Sequence, residues 1–391
     1  MLAALGAVSV FGQLQGKSPA GQEKKRPLTF SADKTEYDFR NDTFVKSYLG
    51  NVMARQEDVE LRADAAYYLS GEAVARFYGS AMFRDSLRTL NADTLIYYYN
   101  RREALAVRNV LVTEKDRLFK SGRVRYQKDL RLVEADGGVY VHDDSVRATI
   151  SGSEAVFNDS TGYGIITGSP VLIREDEAGS IITITCSDTL VIDKEQKLVR
   201  LWKNVVITKD SLEVTSDYAR YDDKAEVVTL TGSPSARHVA SYSPDDAISG
   251  VRMVGRVTGD SMNVFLRERK ISSVEVTGAA HSTTVSTDTT GAVYDESIID
   301  SAVMRLLMKD NLVSLVTAEG TARSYYHKTA QNKEQMFVNE AEGDTIYFFF
   351  DEGKILQMRI TGMGGAGARG KYYGYKPKAG SAEKDTTQKA N

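Results

Sequence analysis

The sequence predicts an all-β chain, a repetitive β-solenoid or stacked array. Three observations lead there. Apolar and polar residues alternate with a period of two in nearly every window from Leu28 onward, the pattern of a strand with one buried face. Short Asp-led phrases recur at Asp33, Asp64 and Asp93 (31 and 29 residues apart), at Asp188 and Asp217 (29 apart), and at Asp260, Asp300 and Asp344 with wider spacing. No helical phase interrupts them, and self-similarity at such a period marks stacked units that bury their apolar faces against one another.

In chain order, the apolar run Met1–Phe11 has the length of a secretory core without its basic leader, so residues 1–12 are expected to be a truncated or atypical signal segment. Residues 13–27 are polar and are expected to be a linker. The first block of repeats is expected over 28–240. Its clearest phrase is Leu90-Asn91-Ala92-Asp93-Thr94-Leu95-Ile96-Tyr97, a charged turn, then Ala104 to Val112 closing on Asn109-Val110. Each Asp is expected to open a short strand, its carboxylate bonding nearby backbone amides. Two units, around Arg123–Tyr126 and Ser153–Phe157, lack the Asp. The repeats continue over 241–375 with polar insertions at Ser241–Arg256, Ser282–Ile298 and Tyr325–Asn339, which are expected to leave the array as loops. The Lys-containing end, 376–391, is expected to be a disordered tail.

The apolar positions fall in register. Leu95 and Tyr97, Leu190 and Ile192, Met262 and Val264, and Ile346 and Phe348 each stand two and four residues after an anchor Asp. On the returning strands Leu105 and Val107, Val199 and Leu201, and Val227 with Thr229 are expected to face the same way. A lipid-binding apolar groove would therefore be lined by Leu95, Tyr97, Leu105, Val107, Leu190, Ile192, Met262, Val264, Ile346 and Phe348. Alternation alone serves a closed core and an open trough equally.

Other classes of function find little support. A net charge of −3 and the lack of a basic stripe interleaved with aromatics argue against nucleic acid. The single cysteine, Cys186, allows no intrachain disulfide and no Cys-rich zinc site, and it is expected to be a packed residue. His142, His238, His281 and His327 lie in separate units without metal-ligand spacing. No metal and no cofactor is expected. Gly362 to Gly367 is glycine-rich, but no helix follows it to cradle a phosphate. A catalytic carboxylate pair would be local and irregular, whereas these Asp residues recur once per unit; no enzyme activity is expected. A closed-core structural or adhesive solenoid and a carbohydrate-active β-helix are the alternatives.

The residues also carry a resemblance. Ala32-Asp33 with Tyr37, Gly50-Asn51-Val52, Arg62-Ala63-Asp64 with Tyr67 or Tyr68, and Ser216-Asp217-Tyr218-Ala219-Arg220-Tyr221 with Thr231-Gly232-Ser233 resemble the OstA/LptA family of lipopolysaccharide-transport proteins. The ending Gly343-Asp344-Thr345-Ile346-Tyr347 with Gly370-Lys371-Tyr372-Tyr373 is similar to the longer OstA-like proteins of the Bacteroidetes type. The likeness covers roughly 28 to 375. It implies a repetitive, solenoid-like periplasmic β-jellyroll of two facing antiparallel sheets that holds the lipid A acyl chains of lipopolysaccharide between them, in the service of outer-membrane biogenesis. It also implies other OstA-fold Lpt components as partners by end-to-end strand pairing, and self-association through the same edges. No catalytic residue carries over.

Overall fold

Alternation in this chain runs over stretches too long for one flat strand, and each long strand bends once near its middle. A computed structural model describes residues 27–40, 43–69, 71–86, 88–176, 179–242, 251–267, 270–309, 312–329, 336–351, 354–362 and 368–375. The expected signal segment, all of the expected linker but Pro27, and the expected tail lie outside the described residues. Among the described residues there is no helix, and the strands pair antiparallel.

The chain divides into two compact units at Leu201/Trp202. The described part of the first holds β1 (Thr29–Ser31), β2 (Lys34–Arg40), β3 (Thr43–Gln56), β4 (Val59–Leu69), β5 (Val74–Arg84), β6 (Thr89–Tyr98), β7 (Glu103–Glu114), β8 (Arg117–Gln127), β9 (Leu132–Asp143), β10 (Ala148–Asn158), β11 (Tyr163–Thr167), β12 (Val171–Glu175), β13 (Ile181–Thr185) and β14 (Thr189–Asp193). Strand β15 (Leu198–Lys209) crosses the division. The second unit continues with β16 (Leu212–Asp222), β17 (Val227–Thr231), β18 (Ser235–Tyr242), β19 (Val251–Thr258), β20 (Ser261–Arg267), β21 (Lys270–Thr287), β22 (Val293–Lys309), β23 (Leu312–Thr329), β24 (Met336–Asp351), β25 (Lys354–Thr361) and β26 (Arg369–Tyr375).

The bends explain the repeating phrase. Pairs of residues with positive φ recur at Gly50-Asn51, Gly79-Ser80, Arg108-Asn109, Gly137-Gly138, Gly168-Ser169, Lys203-Asn204, Gly232-Ser233, Gly278-Ala279 and Gly320-Thr321. The ladder slips register at these points, as between Leu49 and Val52, Tyr78 and Ala81, or Val107 and Val110. Such bulges turn a strand around a sheet corner. An anchor carboxylate caps five of these corners, Asp33, Asp64, Asp93, Asp217 and Asp260 facing Gly50, Gly79, Asn109, Gly232 and Gly278. A Cβ added at Gly50 would stand 2.6 Å from Asp33 Oδ2, so the left-handed backbone (φ 74°) and the close carboxylate both call for glycine there. Asn51 Nδ2 then donates to Asp33 Oδ2 at 2.8 Å. Where the first bulge residue is Arg108, Asn109 Nδ2 donates to Asp93 Oδ1 at 3.1 Å and Arg108 Nε lies 3.5 Å from Asp93 Oδ2. In the unit without an Asp, Ser153 takes the place and donates to the Gly168 carbonyl at 3.2 Å.

Two expectations are corrected here. Only three anchor Asp residues open short strands, Asp33, Asp188 and Asp260 standing directly before β2, β14 and β20; Asp64, Asp93, Asp217, Asp300 and Asp344 lie inside β4, β6, β16, β22 and β24. The buried phase jumps by one residue at the corner, since Leu90 and Ala92 are buried before Asp93 and Leu95 and Tyr97 after it. A phase jump looks like a strand boundary in the sequence. Apart from 288–292, the supposed loops also prove to be strand wherever they are described. Ser282 to Thr287 completes β21, Val293 to Ile298 begins β22, and only 288–292 lies between. Residues 251–256, 325–329 and 336–339 belong to β19, β23 and β24. Their Ser and Thr content looks like loop, but Thr is among the residues enriched in strands, and the ladder itself is made by the backbone.

Candidate functional site

Register carries one side-chain row across many strands. In the first unit an inward row runs Tyr48, Ala66, Phe77, Leu95, Ala106, Val124, Ala135, Ala155, Ile166, Leu190, each the cross-strand partner of the next. Large and small side chains are interspersed along it. Past the corner a second row runs Ala54, Leu61, Phe83, Leu90, Val112, Phe119, Val141, Ile150, Leu172, Ile184. The two rows are the walls of one apolar interior.

Eight of the ten proposed groove residues are buried: Leu95, Tyr97, Leu190, Ile192, Met262, Val264, Ile346 and Phe348. Leu105 and Val107 are not. Leu105 pairs with Ile96 and Arg125, on a half-exposed outer row that also holds Arg76 and Glu134, while Ala104 and Ala106 point inward. The run Ala104-Leu105-Ala106-Val107 is apolar at every position, so alternation does not choose a face; the hairpin register, Tyr98 opposite Glu103, chooses it. Val227 and Thr229 face outward for the same reason, and Val228 and Leu230 are the buried pair. Val199 and Leu201 are buried as expected.

Between the walls lies a partly open cleft. Phe83, Leu90, Ala104, Val112, Phe119, Val124, Val133 and Val141 line it, with Tyr126 and four charged residues, Arg88, Glu114, Arg117 and Asp159. The charged residues come from strand ends and turns on the side away from the bulged corner. Along that side, polar contacts lace one row of turns to the other. Tyr97 donates its hydroxyl to Gln56 Oε1 at 2.8 Å, Lys128 Nζ lies 3.0 Å from Asp58, and Arg102 lies 3.7 Å from Glu57. Arg88 Nη2 donates to Asp159 Oδ2 at 3.0 Å, with side chains only 10% and 8% exposed.

Burial shapes the charges here. It pushes the Tyr97 phenol up to about 12. It works against the Arg88 cation, yet Asp159, Tyr126 and Asp85 together outweigh it and hold the guanidinium above its ordinary value. Burial also raises Asp143, but hydrogen bonds from Ser145 and from Arg117 Nε at 2.7 Å leave the carboxyl below the usual carboxylate range. Lys194, half buried near the same charges, is pushed down to about 8 by burial first and then by Arg117. Arg88 and Asp159 stand 71 residues apart with no local signal, and sequence reasoning missed them.

No family model matches the chain, and no curated protein matches it. Among solved structures it is similar to the crystal structure of LptH, described as the LptA-homologous periplasmic component of the conserved lipopolysaccharide transport device from Pseudomonas aeruginosa. The two are 17% identical over 29% of this chain and 83% of that one, with a TM-score of 0.27.

The remaining candidates are quiet. Cys186 is buried and donates its thiol to the Thr189 carbonyl. His142 contacts Thr149 and Asp144, and His281 contacts Asp300. Among the described residues no group of three or more His, Cys, Asp and Glu side chains could hold a metal ion.

Proposed function

We propose that the chain is a non-enzymatic carrier that shelters the acyl chains of an envelope glycolipid, lipopolysaccharide by its lipid A part, in the apolar cleft of the first unit. The observation that supports this is the cleft itself, a partly open space walled mostly by Leu, Val, Phe and Ala from two continuous apolar rows. Each methylene moved from water onto such walls is worth about 0.8 kcal/mol. A periplasmic place and OstA-fold partners belong to the same proposal. The partners would add strands at sheet edges: β2 and β26 each pair with one neighbour among the described strands, β3 and β24 respectively.

Native mass spectrometry of the full chain extracted from its own envelope tests the carrier. The expected spectrum contains a protein–lipid mass that collapses to the bare chain on activation. Bare chain alone, under conditions that preserve lipid on a known lipid carrier, would rule the proposal out.

A further inference from the structure

The cleft's charges are already matched. Arg88 meets Asp159, Arg117 meets Asp143, and Glu114 also lines the space, so its walls hold no excess of positive charge for an anion. What is left over is one donor. Arg88 Nε is buried and has no hydrogen-bond partner, on a side chain nine-tenths buried that lines the cleft. The Tyr126 ring lies 5.1 Å from the guanidinium carbon and offers no oxygen lone pair to Nε. A buried N–H without an acceptor is rare in folded proteins, because it has lost water and gained nothing.

We propose that the cleft selects acyl esters or amides over plain alkyl chains, the carbonyl oxygen of the bound group accepting a hydrogen bond from Arg88 Nε while its tail lies along Leu90, Val112 and Phe119. A neutral carbonyl satisfies the leftover donor and leaves the Arg88–Asp159 pair intact. A free carboxylate would have to share the guanidinium with Asp159 and sit near Glu114, and so binds more weakly. This inference deepens the carrier reading and rests on it.

The test compares two probes that differ by one carbonyl, 1-monolauroylglycerol (an ester) and 1-O-dodecylglycerol (an ether), each displacing a polarity-sensitive fluorophore from the full chain below its aggregation limit. The ester is expected to bind roughly 10-fold more tightly, the discrimination of one charge-assisted hydrogen bond. Arg88→Lys keeps the cation beside Asp159 but has no N–H at that place; it is expected to bring the two affinities within about 2-fold by weakening the ester alone. Laurate is expected to bind more weakly than the ester. Equal binding of ester and ether to the unaltered chain, or a preference that persists in Arg88→Lys, would overturn the carbonyl site and leave the carrier standing. No displacement by either probe would overturn both. The comparison on the unaltered chain decides the matter even if the variant does not fold.

Discussion

The two units bend their strands by the same device and then furnish their interiors differently. In both, a positive-φ pair faces an anchor carboxylate: Gly79 against Asp64 in the first, Gly278 against Asp260 in the second. On one side of the corner the walls also agree. The second unit has rows Tyr221, Val228, Val264, Val274, Leu306, Val316, Phe348 and Ala219, Leu230, Met262, Val276, Met304, Ala318, Ile346. On the other side they part. Where the first unit places Phe83, Leu90, Val112 and Phe119, the second runs Val257, Ser282, Ile299, Ser324, Ala341 and, beside it, Gly255, Thr284, Ser297, Tyr326, Asn339. One interior is greasy on both walls; the other sets hydroxyls over an apolar floor. The backbone device is therefore independent of what the walls carry.

Several substitutions sharpen or break that contrast. Phe83→Ala, in the greasy row and 3% exposed, is expected to cost about 3–4 kcal/mol in urea unfolding, whereas Ser282→Ala in the hydroxyl row should stay within about 0.5 kcal/mol. Equal costs would mean that the two rows are packed alike. The charges divide the same way. Asp143→Ala removes a carboxylate that is 1% exposed from beside Arg117 and is expected to cost about 3 kcal/mol, while Glu342→Ala, partner of the exposed Arg323, should cost no more than about 0.5 kcal/mol. Because Asp143 is held below the ordinary carboxylate value, its contribution is present at pH above that ordinary value. It is lost as pH falls through the depressed one.

The shared device should respond equally in both units. Gly79→Ala and Gly278→Ala each force a Cβ into the left-handed backbone against a carboxylate, and each is expected to cost about 1–2 kcal/mol. A cost in one unit only would show that the corner is not the same structure twice. The smallest effect is a titration. With Lys194 lowered to about 8 from its ordinary 10.5, the unfolded chain holds that proton more tightly, so stability should rise as pH climbs through 8 toward 10.5. Lys194→Met should flatten that rise in a pH series of melting temperatures.

Much of the architecture was legible because it is periodic. The alternation named the strands, and counting two and four residues from an Asp found Leu95, Tyr97, Leu190, Ile192, Met262, Val264, Ile346 and Phe348 on the buried face. Counting failed where the sequence offers no contrast, as at Ala104 to Val107, since the hairpin register there is a property of two strands and not of one. It failed again at Ser282 to Ile298, where polar residues on an inward row imitate a loop. The lacing of the first unit lay beyond reach for a third reason. Arg88 and Asp159 meet only because turns on opposite walls converge, and nothing within a few residues of either records it.

Lipid contact along the inward row of the first unit is the central claim, and site-specific crosslinking tests it most directly. A photoreactive residue at Val124, on the inward row and 2% exposed, should capture lipopolysaccharide in cells. The same residue at Leu105, on the adjacent strand but the opposite face, should capture little. Equal capture at the two positions, or none at Val124 in a chain that remains folded, would contradict the account.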